Sequence, residues 1–154
     1  PLEEAQMLCT ALWHHVPDYA KEHDLYKPVH QKHPCTLWAM ETRANYWFAM
    51  DLYGLMLLEY TKRYGKVHGA SKHKEAIYRG TWMIPDHTDG KMTPHPQCFS
   101  GHDQLKTDEV FPILAYRRFY IVDKSRFARY KYTEKPKWME TELPTWMKGE
   151  SNVA

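Results

Sequence analysis

The predicted fold depends on residues 33–66, which read HPCTLWAMETRANYWFAMDLYGLMLLEYTKRYGK. The pattern predicts one helix of roughly seven to eight turns over residues 36–64, at 3.6 residues per turn. Pro34 disfavours helix at the residue before it, and Thr36 can cap the first N–H groups. Gly65 can adopt the left-handed conformation that ends a helix. These signals predict where the helix begins and ends.

Apolar residues cover most of the circumference of this predicted helix, which is typical of a helix enclosed by its neighbours. They are Leu37, Trp38, Met40, Ala44, Trp47, Phe48, Leu52, Leu55, Met56 and Leu58. No convincing pair of strands is visible elsewhere. We therefore predict an all-α fold, a compact single-domain helical bundle over residues 1–140 around one long central helix. A C-terminal aromatic tail, residues 141–154, is expected to wrap across the surface or fray.

The other predicted elements follow from periodicity and from proline and glycine positions. Residues 1–15 have a helical pattern, and residues 16–35 form an irregular connection with at most a short turn of helix. Ser71 is expected to cap a short helix that ends at Gly80. Residues 81–106 form a long loop, and residues 113–132 form a helix that can be broken near 123–125.

Composition excludes several classes of protein. The 154 residues carry a formal net charge of +2, which by itself identifies no partner. The three cysteines are widely spaced and odd in number, which favours a reducing compartment over a disulfide framework. No apolar run reaches the length of a membrane span, and no signal peptide is visible, so a soluble cytoplasmic protein without a membrane partner is expected. No phosphate loop or dinucleotide fingerprint occurs, and we predict no cofactor.

Several polar residues share one face of the predicted central helix. Glu41, Asn45 and Glu59 fall within about 40° of one another, given an advance of 100° per residue. One interpretation is that Glu41 contacts Asn45 and that Glu59 pairs with Arg63, each four residues apart. The other is that the three side chains line a pocket, because buried carboxylates are costly unless they are paired or used.

Basic and aromatic residues interleave over residues 116–132. Phosphate contacts require Arg and Lys, and extruded or unpaired bases stack on aromatic rings. This pattern indicates a nucleic-acid contact. In the alternative interpretation, the rings belong to the core and the charges form a solvated helix face.

Histidines and cysteines raise the question of a metal site. His30, His33 and Cys35 lie close in sequence, but structural zinc needs four ligands at short paired spacings, and no such pattern occurs. We therefore predict no metal. His30 and His33 are interpreted as polar contacts over the central helix or as ligands of phosphate.

Residues 27–72 read KPVHQKHPCTLWAMETRANYWFAMDLYGLMLLEYTKRYGKVHGASK. This run resembles a family of small phage proteins described as pyrimidine-dimer DNA glycosylases, distantly similar to the phage enzyme called endonuclease V. The resemblance covers about residues 2–74 and 116–138, the latter ending in a Pro-x-Trp element. It implies a compact all-α fold, double-stranded DNA with a damaged base as partner, and the cytoplasm of an infected bacterium as location.

The resemblance also implies chemistry and site residues. An amine attacks the sugar C1′ of the damaged nucleotide, giving an imine that eliminates the 3′ phosphate with the help of a carboxylate. Glu3 matches the catalytic glutamate, and the implied DNA contacts are His30, His33, Arg43, Asn45, Arg117, Arg118, Arg126 and Trp138. The family's nucleophile is an N-terminal amine that lies upstream of Pro1. A truncated chain is therefore expected to bind without cutting, whereas a native Pro1 could supply its own amine.

Two rival hypotheses remain open. The chain could be a non-catalytic phage accessory or virion-associated protein that holds a protein partner through its aromatic tail. It could also be a small-molecule enzyme with a pocket built from Glu41, Asn45, Glu59 and the histidine loop. The repair hypothesis alone predicts that DNA affinity falls steeply with salt. If it holds, Glu3, His30, His33, Arg43 and Asn45 should converge on one cleft. The sequence does not indicate the oligomeric state.

Overall fold

The computed structural model describes residues 1–141, and the predicted tail over residues 141–154 therefore lies almost wholly outside the described residues. Residues 1–141 contain seven α-helices joined by short 3₁₀ and π turns, with no β-strand, which confirms the predicted all-α fold. Contacts group the chain into two compact units, Pro1–Pro96 and Gln97–Ala154, which are described separately. The single domain over 1–140 stays a prediction.

The N-terminal unit, residues 1–96, is organised around its first helix. This helix, α1 (Leu2–His15), contacts α2 (Pro17–Glu22), α3 (Pro34–Glu41), α4 (Arg43–Tyr64) and α5 (Lys74–Gly80). Three of its side chains, Leu8, Cys9 and Leu12, are completely buried. The central position that the sequence assigned to residues 36–64 therefore belongs to α1.

The predicted single helix over 36–64 is wrong, because the helix is interrupted at Thr42. That residue is extended, with φ −142° and ψ 155°, and its side chain accepts a hydrogen bond from Asn45 N at 3.1 Å. It is therefore the N-cap of α4. The backbone N–H of Arg43 donates to Pro85 O at 2.7 Å instead of continuing the helix. A tertiary contact with the long loop replaces the helical hydrogen bond.

The predicted N-cap of this stretch, Thr36, is also wrong. α3 begins at Pro34, and its N-cap is His33, whose Nδ1 accepts a hydrogen bond from Cys35 N at 3.2 Å. Thr36 is fully buried, and its hydroxyl has no hydrogen-bond partner among residues 1–141. The predicted C-terminus is confirmed, because Gly65 follows Tyr64 with φ 62°.

α4 is not enclosed by neighbouring elements of its own unit. One face is buried and includes Tyr46, Ala49, Met50, Tyr53 and Leu57. The opposite face exposes three leucines, Leu52 at 41%, Leu55 at 63% and Leu58 at 63%. The apolar circumference of the sequence therefore combines a buried face with an exposed apolar face.

α5 packs closely on α1 through a glycine. A Cβ atom at Gly80 would lie 2.6 Å from a side-chain carbon of Leu12, so this position requires the absence of a side chain. The predicted end of the helix at Gly80 is confirmed, but Ser71 is not its cap. A 3₁₀ turn, Gly69–His73, precedes α5, and His68 caps that turn by accepting from Ala70 N at 3.1 Å.

The described part of the C-terminal unit, residues 97–141, has a smaller core. α6 (Ile113–Phe119) continues as a π turn, Tyr120–Lys124, and a 3₁₀ turn, Ser125–Phe127, and α7 spans Trp138–Thr141. Phe99, Leu105 and Ala115 are buried. The ring of Phe99 stacks on Phe119 with centroids 4.8 Å apart. The predicted helix over 113–132 therefore ends at residue 127, after a change of helix type at the place where a break was expected.

Among residues 1–141, no helix has both the length and the apolar character needed to cross a membrane.

Candidate nucleic-acid interface

Positive charge is concentrated in residues 113–137, which we call the basic segment. It contains eight Lys and Arg against two Asp and Glu, a net charge of +6, whereas the whole chain carries +2. Six of the cations are exposed, and they are Lys124, Arg126, Arg129, Lys131, Lys135 and Lys137. A surface of this kind attracts a polyanion such as DNA.

One carboxylate partly neutralises the start of the exposed stretch. Asp123 accepts from Lys124 Nζ at 2.7 Å and lies 3.5 Å from Arg126. The hydrogen bond from Lys124 lowers the pKa of Asp123, so this carboxylate is ionised at neutral pH. Arg126 nevertheless keeps 69% of its side chain exposed.

An inward tyrosine holds the exposed part of the basic segment in place. The hydroxyl of Tyr130 lies 3.2 Å from the hydroxyl of Tyr120 and donates to Met139 Sδ at 2.9 Å. Met139 is buried, and the ring of Tyr120 meets Trp138 edge to face at 5.8 Å. These contacts join residue 130 to the π turn and to α7.

The rings on either side of this tyrosine face solvent. Phe127 is 64% exposed and Tyr132 is 56% exposed. A cation covers each ring, since Arg126 lies 4.6 Å from the centroid of Phe127 and Lys131 lies 5.2 Å from that of Tyr132. The sequence predicted Arg126 as a contact and placed both rings in the interleaved stretch over residues 116–132, but it singled out neither ring as a contact. The repeated cation–aromatic pairs in RFARYKY, residues 126–132, belong to that pattern.

The other predicted contacts of this unit are less exposed than Arg126. Arg117 is half-buried, and its guanidinium lies 5.4 Å from the ring centroid of Trp138, which is also half-buried. Arg118 is half-buried, and its Nε is buried without a hydrogen-bond partner in the described part of the chain. Arg117 and Trp138 thus form a cation–π pair between α6 and α7.

The predicted contacts Arg43 and Asn45 lie at the break between α3 and α4. Arg43 Nε donates to Ile84 O at 3.1 Å, and its NH1 lies 3.8 Å from Asp86. Asn45 is fully buried, and its amide bonds to Trp38 O and to Thr93. Both side chains hold the loop over residues 84–96 in place, and the buried amide of Asn45 is not accessible to DNA.

Thr93 connects the polar residues of the two helices. Its hydroxyl donates to Glu41 Oε2 at 2.9 Å and accepts from Asn45 Nδ2 at 2.8 Å, while its N–H donates to Asn45 Oδ1 at 3.0 Å. Glu41 and Asn45 are therefore linked by hydrogen bonds through Thr93 of the loop, instead of by a contact along one helix. Burial among aromatic rings, Trp38 and Phe48, lowers the pKa of the neighbouring His95.

The two predicted histidines lie at the start of α3. His30 is exposed with φ 54°, and its carbonyl accepts from His33 N at 2.9 Å in a tight turn. His33 caps α3, and a nitrogen of its ring lies within 4.8 Å of the Sγ atom of Cys35. This pair could contribute two ligands to a metal, and the absence of a metal stays a prediction. Their role as phosphate ligands is also a prediction.

The predicted catalytic residues lie at the start of α1. Glu3 is exposed, whereas its neighbour Glu4 is half-buried. Burial raises the pKa of Glu4 to about 7, although the positive charge of the chain terminus acts in the opposite direction. A carboxyl with such a pKa can donate and accept protons near neutral pH. Glu4 therefore has the acid–base properties that the resemblance assigns to the catalytic glutamate.

Pro1 lines a shallow groove of about 380 Å³ along the C-terminal half of α4, together with Leu55, Met56, Glu59, Tyr60, Arg63 and Tyr64. The predicted pair of Glu59 and Arg63 is confirmed at 2.7 Å. Arg43 and Glu59 are 16 positions apart on one helix, which corresponds to about 24 Å. The structure therefore does not bring Pro1 and Glu3 into one cleft with Arg43 and Asn45, nor Glu59 into one pocket with Asn45.

Comparison with known proteins identified no relative. No family model, curated protein or solved structure matches the chain.

Proposed function

We propose that this chain binds DNA through the basic segment and acts as a repair glycosylase with abasic-site lyase activity on damaged pyrimidines. The observation that carries the proposal is the concentration of a net charge of +6 in residues 113–137, with two exposed aromatic rings beside exposed cations. Cations bind phosphates without regard to sequence, and aromatic rings contact bases. That combination suits a protein that examines DNA for damage.

The proposed chemistry rests on the resemblance of residues 27–72. An amine forms a bond to C1′ as the bond between the sugar and the damaged base breaks. Loss of a C2′ proton from the resulting imine then expels the 3′ phosphate. Glu3 is the candidate carboxylate by resemblance, and Glu4 is the candidate by its pKa of about 7. Substitution of each glutamate distinguishes between them.

The first experiment measures DNA affinity as a function of salt concentration. Duplex affinity should fall linearly on a double-logarithmic plot, because each phosphate contact releases counterions. Arg129→Gln and Lys131→Gln should each reduce the magnitude of the slope by about 0.9 for duplex DNA. Arg79→Gln is the matched control, since Arg79 is exposed in the other unit and pairs with Glu75. An affinity that does not depend on salt would refute the DNA-binding proposal.

The second experiment tests the chemistry. Borohydride reduction of the chain with DNA that contains an abasic site should trap a covalent adduct, and peptide mapping should identify the amine as Pro1 or a lysine. Glu3→Gln and Glu4→Gln, compared at equal DNA occupancy, should show which carboxylate accelerates strand cleavage. Salt-dependent binding without any adduct would leave a DNA-binding protein and exclude lyase activity for this chain.

The exposed leucines of α4 favour a second candidate, a non-catalytic accessory protein that binds a protein partner. Leu52, Leu55 and Leu58 form an apolar surface on one helix, and surfaces of this kind often mark protein contacts. Leu55→Lys with Leu58→Lys should abolish partner binding or self-association without reducing DNA affinity. Sedimentation over a range of concentrations tests self-association directly.

A further inference from the structure

We infer that Phe127 and Tyr132 stack on unpaired bases, so that the basic segment binds single-stranded DNA more tightly than intact duplex. The inference rests on the proposed DNA-binding function and adds the class of substrate that the segment prefers. Three observations carry it: the exposure of the two rings, the cation over each ring and the anchoring of the chain between them.

The exposure of the two rings follows from the local structure. Tyr130 points inward to Tyr120 and Met139, and it anchors the backbone at a point between the two exposed rings. Ala128 has extended backbone, with φ −65° and ψ 135°, so the helix ends before this stretch. Phe127 and Tyr132 are thereby presented to solvent from a backbone that is anchored at residue 130.

Each exposed ring has a phosphate-binding group beside it. Arg126 covers Phe127 at 4.6 Å, and Lys131 covers Tyr132 at 5.2 Å. A base that stacks on either ring would place its own phosphate within reach of the adjacent cation. The five Cα–Cα steps from residue 127 to residue 132 can span at most about 18 Å, so the two sites fit a short stretch of one strand.

Whether the DNA is single-stranded or double-stranded decides whether the two rings can stack on its bases. In intact duplex the faces of the bases are covered by their neighbours, and insertion of a ring requires unstacking of a base step. In a single strand the faces are accessible, and stacking on aromatic side chains stabilises the complex without regard to sequence. The cations act on both forms, whereas the rings contact base faces without an unstacking cost only in the single strand. The ratio of the two affinities therefore reports on the rings.

The test measures fluorescence polarisation with a labelled single-stranded oligonucleotide and with a hairpin duplex of the same sequence, in the same buffer. We expect the full chain to prefer the single strand. Phe127→Ala and Tyr132→Ala should each weaken single-strand binding by about fivefold or more and change duplex binding by less than about twofold. Tyr78→Ala is the matched control, because Tyr78 is 45% exposed in the other unit. Thermal melting of every variant checks that its fold is unchanged.

The outcomes separate this inference from the proposed function. A single-strand preference that the double variant abolishes supports the inference. Equal, salt-dependent binding of both forms, unchanged in the double variant, overturns the inference and leaves the proposed DNA binding intact. Equal loss of both affinities in the double variant also overturns it, because the rings would then support the fold of the segment. If neither DNA form binds, the proposed function fails together with the inference.

Discussion

Replacement of Asn45 by alanine tests the network that holds the long loop against the break between α3 and α4. The amide of Asn45 makes three hydrogen bonds, to Trp38 O and Thr93 Oγ1 at 2.8 Å each and from Thr93 N at 3.0 Å. Asn45 is 0% exposed, whereas Thr93 is half-buried, so water can replace the lost hydrogen bonds only in part when the amide is removed. At about 1 kcal/mol net for each hydrogen bond, with a small cavity added, we expect a loss of about 3–4 kcal/mol of unfolding free energy. That loss is a large fraction of the stability of a typical domain.

Urea unfolding followed by circular dichroism measures the loss. Thr93→Val is the matched variant, because it removes the threonine hydroxyl but keeps the N–H donor to Asn45, and we expect it to lose about 1–2 kcal/mol. The two substitutions share the bond between Asn45 Nδ2 and Thr93 Oγ1. The loss in the double variant should therefore be smaller than the sum of the single losses.

Two results would refute this reasoning. A loss below about 1 kcal/mol for Asn45→Ala would mean that the three bonds contribute almost nothing beyond those made with water in the unfolded chain. Additive losses would mean that the two side chains act independently. The same variant also tests the predicted DNA contact, since folded Asn45→Ala should keep the DNA affinity of the parent chain.

Three further predictions concern packing, protonation and thiol reactivity. Gly80→Ala should lower the unfolding free energy by about 1–3 kcal/mol, because the added methyl group overpacks against Leu12. Gly54→Ala should raise it by up to about 1 kcal/mol, because Gly54 lies in open space within α4. Urea unfolding of both variants tests these opposite signs. The pKa of Glu4 rises from 4.5 to about 7 on folding, so the unfolding free energy should fall as pH increases between these two values. The fall is at most about 1.4 kcal/mol per pH unit. Glu4→Gln should remove it, as measured by thermal melts at a series of pH values. Burial raises the pKa of Cys9 to about 11, so iodoacetamide should modify exposed Cys98 in the native chain and leave Cys9 unmodified until the chain unfolds, as read by peptide mass.

The all-α fold and the C-terminal ends of α4 and α5 could be predicted from the local sequence. Gly65 ends α4 with a positive φ, as its lack of a side chain allows. Gly80 is the last residue of α5, but its backbone is helical and a 3₁₀ turn follows it. The break at Thr42 depends on a distant partner, since Arg43 N donates to Pro85 O. Threonine favours N-cap positions, but the apolar run continues through Thr42, so the local sequence does not mark a break there.

The exposed face of α4 could not be predicted from periodicity. Apolar residues all around a helix are typical of burial on every side, but the pattern cannot show how many neighbours the unit supplies. Within residues 1–96, α4 packs through one face, and Leu55 and Leu58 remain 63% exposed. The apolar circumference also predicted that the helix over residues 36–64 is central. α1 takes that position instead, because it contacts four other helices.

The residue types of the candidate interface could be predicted from the sequence, but the orientation of their side chains could not. The alternation of cations and rings in residues 116–132 is visible in the sequence. The orientation of each ring is not, because residues 127, 130 and 132 fit neither a helical nor a strand period. Tyr130 turns inward because Tyr120 and Met139 offer it partners, and the two neighbouring rings are left exposed. The residues that carry the proposed single-strand preference were therefore identified from contacts.

The charge distribution sets an upper limit on the salt dependence, and this limit tests whether the basic segment acts alone. Its six exposed cations can release at most about 0.9 counterions for each duplex phosphate that they neutralise, which limits the slope of log affinity against log salt to about −5. The rest of the chain carries a net negative charge, because the whole has +2 and the segment +6, so on average it repels DNA. A measured slope between about −2 and −5 agrees with binding through the segment. A steeper slope would require cations beyond these six, and loss of the excess in Arg43→Gln or Lys72→Gln would place them in residues 1–96.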